Sequence, residues 1–578
     1  MKISVVLALS LSALGICSPT QAEERAAGNA SATHCEQMAQ DMSGHWPDQS
    51  TQVMSSKWVA AGPITVMNLG GPPAVVPGPD HCELIAQMQT RTGANDQHYA
   101  IKFHLRMPAH WNGRFYFQGG GGSNGVLGDA LGRYTASAAP ALVQGFAVVS
   151  QDSGHDNQLN NDPARGGEIT FGFDPIARAN YGHASLPLVS EAAKAAIRQF
   201  YGAPAGHSYF VGCSKGGQEA LVAAERYGGE FDGIAAGDPG MSLPRAAVAE
   251  AWNTQTFAGL AKSQPDGSVS IEQLQTALSN DDFNKVREAV LSACDAADGL
   301  KDGIVGDFAH CTTAKVLPAL QAVKCSAAQS GDCLSGAKID ALVRVMKGAV
   351  NSHGEVLYSD FPWDASIASV GWRIWNLGSA MPPIPVLNVI LGGPALATVF
   401  TTPPTAIGAS PPAALQFLLH FDFDKDAPRI YATDAQFPGS GWSDLSARSA
   451  DLGTFRAHHG KLIVFHGTAD PIFSINDTAA WWNEVDHANS SHAASFVRLF
   501  PVPGMNHCLG GDATDQFDVL APLVDWVEHG KAPEQILATA DPMSPWPKRT
   551  RPLCPYPQIA RYRGSGDVDS AASFECRR

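Results

Sequence analysis

Apolar residues in this chain cluster in short runs that stop abruptly at glycine-rich turns. Arg114-Phe115-Tyr116-Phe117 runs into Gly119-Gly120-Gly121-Gly122, and Phe146-Ala147-Val148-Val149 into Asp152-Ser153-Gly154. Ser208-Tyr209-Phe210-Val211 runs into Gly212-Cys213-Ser214-Lys215-Gly216-Gly217, and Ile234-Ala235-Ala236 into Gly237-Asp238-Pro239-Gly240. Further on, Leu462-Ile463-Val464-Phe465 leads to His466-Gly467-Thr468-Ala469-Asp470, and Val497-Arg498-Leu499-Phe500 to Pro501-Val502-Pro503-Gly504. Runs that are apolar without alternation and end in glycine suit parallel strands buried on both faces. Helical patterns over residues 186–200 and 217–227 lie between them, so the expected fold class is α/β.

From residue 243 to 446 this alternation stops. The stretch carries four cysteines, Pro382-Pro383-Ile384-Pro385 and Gly392-Gly393-Pro394, and the strand pattern resumes at Lys461. It reads as a lid domain inserted into a catalytic domain made of residues 23–242 and 447–578. Insertions in such sheets emerge at the carboxyl ends of strands, where ligands bind. A purely structural insertion is the alternative. At the start, Met1-Lys2 precedes a short apolar run and Pro19-Thr20-Gln21-Ala22, which reads as a signal peptide over residues 1–22. Cys17 after Leu14-Gly15-Ile16 faintly resembles a lipoprotein box, but the bulky Ile16 argues against it. A secreted or periplasmic protein is expected.

The chain has 578 residues and a formal charge of -16, which argues against a nucleic-acid partner or an anionic membrane surface. Removing the signal leaves an even ten cysteines, and in an exported chain that suggests disulfides. Cys325 and Cys333 are close enough to close a small loop, as are Cys294 and Cys311. Spacing leaves the other pairs open.

Gly212-Cys213-Ser214-Lys215-Gly216 matches G-x-S-x-G between a strand-like run and a helix, the context a nucleophile elbow requires. A serine needs a positioned base, and the chain order for this fold is Ser, acid, His. Asp470 follows one strand-like run and His507 the next, so Ser214, Asp470 and His507 form the expected triad. His155, His458 and His459 precede the positions their roles would require, and His466 is expected in the pocket rather than as base. Cys213 precedes the nucleophile and Cys508 follows the base. A bond between them would tie the elbow to the histidine loop.

Cys213-Ser214, a later Asp470 and a final His507-Cys508 resemble the tannase and feruloyl esterase family, and the likeness spans essentially the whole mature chain. Leu105-Arg106-Met107-Pro108, Gly154-His155-Asp156-Asn157, and residues 501–508 and 554–562 look closest to its branch acting on terephthalate monoesters. The resemblance implies an α/β-hydrolase fold with a large inserted lid. It also implies an oxyanion hole from the backbone N–H groups of Gly122 and Lys215, which agrees with the usual source of such donors. It leaves the Lys215 side chain without a role. The implied disulfides are Cys35–Cys82, Cys213–Cys508, Cys294–Cys311, Cys325–Cys333 and Cys554–Cys576.

The same resemblance implies a structural Ca²⁺ held by the side chains of Asp295, Asp298 and Asp302 and the carbonyls of Leu300 and Ile304. Three carboxylates with two glycines on a tight turn suit a hard cation, although the spacing is not that of an EF-hand. Phe473, Trp375, His466, Leu243 and Gly121 are implied to contact an aromatic ester. The terephthalate enzymes hold their substrate's free carboxylate with a lid arginine. Here residues 374–424 contain neither Arg nor Lys, and Leu387 falls near the expected place. A neutral phenolic ester is therefore expected to fit better than a terephthalate monoester. The expected protein is a monomeric secreted serine esterase. A silent binding protein on a hydrolase scaffold, or a calcium-dependent adhesion module, are the rival classes.

Overall fold

The computed structural model describes residues 30–66, 73–133, 139–264, 267–326 and 332–578. The expected signal peptide, residues 1–22, lies outside them. Among the described residues a nine-stranded sheet organises the chain. Its strands are β1 (Gln52–Val59), β2 (His81–Thr92), β3 (His98–Pro108), β4 (Arg114–Gln118), β5 (Ala147–Gln151), β6 (His207–Cys213), β7 (Gly233–Gly237), β8 (Lys461–Gly467) and β9 (Val497–Val502). Their spatial order is β1-β2-β3-β5-β4-β6-β7-β8-β9. The strands from β5 to β9 run parallel, while β1, β2 and β3 pair antiparallel at one end.

The six apolar runs read from the sequence are β4 to β9. Each is continuous because both faces of the sheet are covered. Phe115, Phe117, Phe210, Ile234, Leu462, Val464 and Leu499 pack on one side, against α1 (Ser185–Tyr201), α2 (Lys215–Arg226) and, further along the chain, the helix Ile475–Ala488. Tyr116, Tyr209, Val211, Ala235, Ile463, Phe465 and Phe500 pack on the other, with Leu520, Leu523 and Trp526 of the helix Leu520–His529.

The chain leaves the sheet after β7 and returns at β8. The intervening segment is mainly helical, beginning with α3 (Leu243–Ala258) and including α4 (Asn280–Cys294), α5 (Gly336–Met346) and α6 (Val370–Asn376). A third apolar cluster, separate from the two sheet faces, holds it together through Trp252, Phe257, Phe283, Trp363, Trp372 and Leu418. Tyr181, Ile472 and Phe473 from outside the segment join this cluster. Ser279 and Asp282 cap α4 reciprocally, and Lys338 of α5 donates to Asp282 at 2.6 Å, fixing the two helices together.

Among the described residues there are five disulfides, pairing Cys35–Cys82, Cys213–Cys508, Cys294–Cys311, Cys325–Cys333 and Cys554–Cys576. Among the described residues no helix is long and apolar enough to cross a membrane.

Candidate active site

Ser214 occupies the turn between β6, at the middle of the sheet, and α2, with φ at 64°. That conformation is costly for any residue but glycine and persists only where the surroundings impose it. Here Ser214 N–H donates to Gly237 O at 2.9 Å, and Ser214 O accepts from Gly240 N–H at 3.2 Å. A Cβ at Gly212 would lie 2.5 Å from Gly216 O, and one at Gly216 would lie 2.6 Å from Gly120 O. The two motif glycines let strand, turn and neighbouring loop close on one another.

His507 and Asp470 sit beyond the ends of β9 and β8. Ser214 Oγ lies 2.8 Å from His507 Nε2, and His507 Nδ1 lies 2.7 Å from Asp470 Oδ2. With Nδ1–H donating to the carboxylate, Nε2 is free to accept the serine proton. Asp470 Oδ1 accepts the N–H groups of Ile472 and Phe473 at 2.8 and 3.0 Å. Burial opposes ionisation of Asp470, but the charge of His507 and its hydrogen bond hold the carboxyl below its ordinary range. The Cys213–Cys508 bond, with Cα atoms 6.1 Å apart, joins the residues flanking the serine and the histidine.

Asp238, at the end of β7, supports this line from behind and was not singled out in the sequence. It is fully buried and accepts Gly467 N–H at 2.9 Å. Burial, then the charge of Asp470 and a hydrogen bond to it, pushes its carboxyl well above the usual range. The only sequence signal was an acid in the glycine-rich turn after a strand.

Gly122 and Lys215 both line the cavity at Ser214, and neither backbone N–H has a partner among the described residues. Lys215 opens α2, where unpaired N–H groups are inherent to a helix start. The Lys215 side chain turns inward. Its Nζ donates to Glu219 Oε1 at 2.9 Å and lies 4.5 Å from the centre of the Tyr181 ring. Glu219 in turn accepts Gly120 N–H at 2.8 Å and the Asn124 amide at 2.6 Å, and Asn124 accepts Gly121 N–H at 2.9 Å. Tyr181 O–H donates to Gly122 O at 2.9 Å. The loop carrying Gly122 is thus anchored to the helix that follows the nucleophile.

The cavity has a volume of ≈ 350 Å³. Leu243, Trp375 and Phe473 line it, and the rings of Trp375 and Phe473 meet His507 edge-on at 5.4 and 5.2 Å. Two expected contacts do not. His466 is wholly buried behind the triad, sharing hydrogens with Thr478 Oγ1 and Phe473 O, each at 2.9 Å. It supports the segment after Asp470 instead of facing the cavity, and burial pushes its pKa down, keeping it neutral. Gly121 is spent on its bond to Asn124 while Gly122 and Ser123 form the wall. Leu387 also lies outside the lining, because the next turn presents Ile390, Leu391 and Gly392. His155, the other histidine near the loop, bonds Ser123 O at 2.9 Å and stacks on Phe171.

The acidic turn lies apart from this cavity. Asp295 accepts the N–H groups of Asp302 and Gly303, and Asp298 accepts that of Leu300. Asp298, Asp302 and Ile304 border a small cavity of ≈ 30 Å³, while Asp295 and Leu300 stand just outside its lining. Burial, and then repulsion from Asp302 and Asp295, pushes Asp298 up to about 7. Asp302 contacts Arg551.

The family model for tannase and feruloyl esterase matches residues 82–577. The chain is 42% identical over 549 residues to the mono(2-hydroxyethyl) terephthalate hydrolase of Piscinibacter sakaiensis, covering 92% of this chain and 89% of that one. It is 29% identical over 504 residues to a probable feruloyl esterase of Arthroderma benhamiae, covering 84% of each. The crystal structure of feruloyl esterase B from Aspergillus oryzae superposes with a TM-score of 0.73 at 23% identity, covering 94% of this chain and 100% of that one. Tannin acyl hydrolase from Aspergillus niger superposes with a TM-score of 0.66 at 19% identity, covering 93% and 94%. The sheet is that of an α/β-hydrolase, and the chain belongs to the tannase and feruloyl esterase family of carboxylic ester hydrolases.

Proposed function

We propose that this enzyme is exported and hydrolyses esters of aromatic acids through an acyl-enzyme on Ser214. The observation that carries the reading is the unbroken line from Ser214 Oγ through His507 to Asp470, opening on a cavity walled by aromatic side chains. In the first step His507 Nε2 takes the hydroxyl proton as Oγ attacks the ester carbonyl. The oxyanion accepts the N–H groups of Gly122 and Lys215, and His507 then protonates the departing alkoxide. Water, deprotonated by the same nitrogen, attacks the acyl-enzyme and releases the acid. Asp470 orients His507 and stabilises the imidazolium, and Asp238 supports Asp470 from behind.

Among the described residues the only Lys or Arg lining the cavity is Lys215, and its ammonium is engaged by Glu219. This favours neutral aromatic acyl groups. Similarity to the terephthalate-monoester hydrolase keeps that monoester as the second substrate reading. Hydrolysis of methyl ferulate, methyl gallate, mono(2-hydroxyethyl) terephthalate and a p-nitrophenyl ester, by wild type and Ser214→Ala, tests both. Aromatic turnover that falls by ~10⁴-fold or more in the variant is expected. A well-folded, oxidised protein that turns over none of them overturns the proposal.

In this reading the acidic turn would hold a structural Ca²⁺ on Asp295, Asp298 and Asp302 with the carbonyls of Leu300 and Ile304, a set of hard oxygen donors of the kind that ion takes. Bound there, it would brace the turn next to the Cys294–Cys311 disulfide, remote from the ester chemistry. Five disulfides and the leader-like residues 1–22 support export.

A further inference from the structure

Among the described residues, Glu250 is the one charged side chain in the wall of the active-site cavity that is both buried and unpaired. It is 8% exposed, and neither carboxyl oxygen has a hydrogen-bond or ion-pair partner among the described residues. Of the other charged groups in the wall, Lys215 is paired with Glu219 and Glu168 is exposed to solvent. A buried polar group left unsatisfied costs free energy and calls for an explanation, and a ligand is a natural one.

The position of Glu250 suits that role. Leu243 and Glu250 are seven residues apart on α3, hence on one face and about 10 Å apart along its axis. The Leu243 end adjoins the nucleophile: Leu243 N–H bonds Gly240 O at 3.2 Å, and Gly240 N–H bonds Ser214 O at 3.2 Å. Glu250 therefore stands about two helical turns beyond Leu243 along the cavity wall. Gly392 packs directly on it: a Cβ there would fall 1.6 Å from Glu250 Oε2, so that oxygen is sealed and Oε1 is the one left open. Ile390, Leu391 and Phe400 supply an otherwise apolar surround.

The structure assigns Glu250 as the specificity-determining residue of the acyl pocket, receiving a ring hydroxyl of a phenolic acyl group whose ester carbonyl lies at Ser214. Burial, and then the charge of Asp470, pushes its carboxyl up to about 8, so near neutrality it offers both an O–H donor and a carbonyl acceptor. A phenol suits the open oxygen in either state of the acid, accepting from its O–H or donating to its C=O. An acyl group ending in a carboxylate has one acceptor face, no free cation to meet, and an acid that would become a like charge on ionising.

This assignment rests on the esterase reading above, and the test separates the two. Wild type and Glu250→Leu are compared on methyl para-hydroxycinnamate and methyl cinnamate, which differ by one hydroxyl. Wild type is expected to favour the hydroxylated ester in kcat/KM by about ten-fold or more, and Glu250→Leu to bring the ratio near unity. Glu250→Gln, which keeps a donor and an acceptor, is expected to restore part of the preference. Equal use of the two esters by wild type overturns the assignment and leaves the esterase standing, without reference to any variant's folding. A preference that survives in folded Glu250→Leu also overturns it. Hydrolysis of neither ester, nor of any other aromatic ester, removes the reading on which it depends.

Discussion

Of two buried glutamates near the active site, Glu219 lies behind the oxyanion loop and Glu250 lines the cavity, and they differ in one respect. Glu219, in the floor, binds the Lys215 ammonium, Gly120 N–H and the Asn124 amide. Glu250, in the roof formed by α3, binds none of the described residues. The floor is closed on itself: its polar atoms are spent holding the oxyanion loop against α2, so its geometry is set before substrate arrives. The roof leaves a polar group open. Preorganisation at the reacting atoms and an unfilled partner further along the cavity wall are what catalysis and selection respectively require.

The sharpest way to break this contrast is to open the floor. Glu219→Ala leaves the Lys215 ammonium buried without a partner and releases Gly120 and Asn124. We expect kcat to fall by ~10²–10³-fold with little change in KM, and stability to drop by about 3–5 kcal/mol, read by steady-state kinetics and denaturant unfolding. A variant that unfolds more easily but keeps its kcat would reduce the pair to a structural role.

The proposed Ca²⁺ site lies away from both glutamates, and its test is removal of the ion. Chelation is expected to lower the unfolding temperature by an amount equivalent to ~3 kcal/mol for an ion held at a hundred times its Kd, with kcat of the folded enzyme unchanged. Loss of kcat at a temperature where the apo protein is folded would instead connect the acidic turn to the cavity.

In the roof, the sign of a pH effect is fixed by the raised pKa of Glu250. The unfolded chain ionises this group near its ordinary value, ~4.3, whereas the folded protein keeps it protonated up to about 8. The folded state thus binds the extra proton between those values, and stability falls as pH rises through that window. Glu250→Gln removes the group, so its stability relative to wild type should climb from pH 5 to pH 8 by a few kcal/mol at most. Denaturant midpoints of the two proteins at both pH values measure the difference, and a constant offset would mean that Glu250 is ionised in the folded state.

The smallest effect is expected at Leu387, which lies outside the cavity lining. Leu387→Arg should change hydrolysis of mono(2-hydroxyethyl) terephthalate by less than about two-fold. A large gain would show that this position reaches the substrate and would recast the roof.

The floor was legible in the sequence and the roof largely was not. Strands β4 to β9 announced themselves because burial on both faces makes them uniformly apolar, and the elbow followed from glycines that tolerate no side chain. Strands β1 to β3 went unread because, as antiparallel strands at the sheet's end, they mix polar and apolar positions, as in His81–Thr92. Lys215 had no role in the sequence because its partner, Glu219, matters only once the oxyanion loop lies beside it. His466 was placed in the pocket because it precedes the acid and the family resemblance implied a contact, but at the end of β8 it points inward. Glu250 sat unnoticed in a helix of the inserted segment, and its meaning depends on Gly392, far away in sequence. Local rules reach residues whose surroundings are local; the cavity wall is assembled from distant segments.

The central claim is that Ser214 carries the acyl group. Acid-quenching the enzyme during turnover of a p-nitrophenyl ester of an aromatic acid, followed by intact-mass and peptide analysis, tests it directly. The account predicts one acyl increment on the peptide containing Ser214, absent from Ser214→Ala together with turnover. Continued turnover by Ser214→Ala, or an acyl group found on another residue, would contradict it.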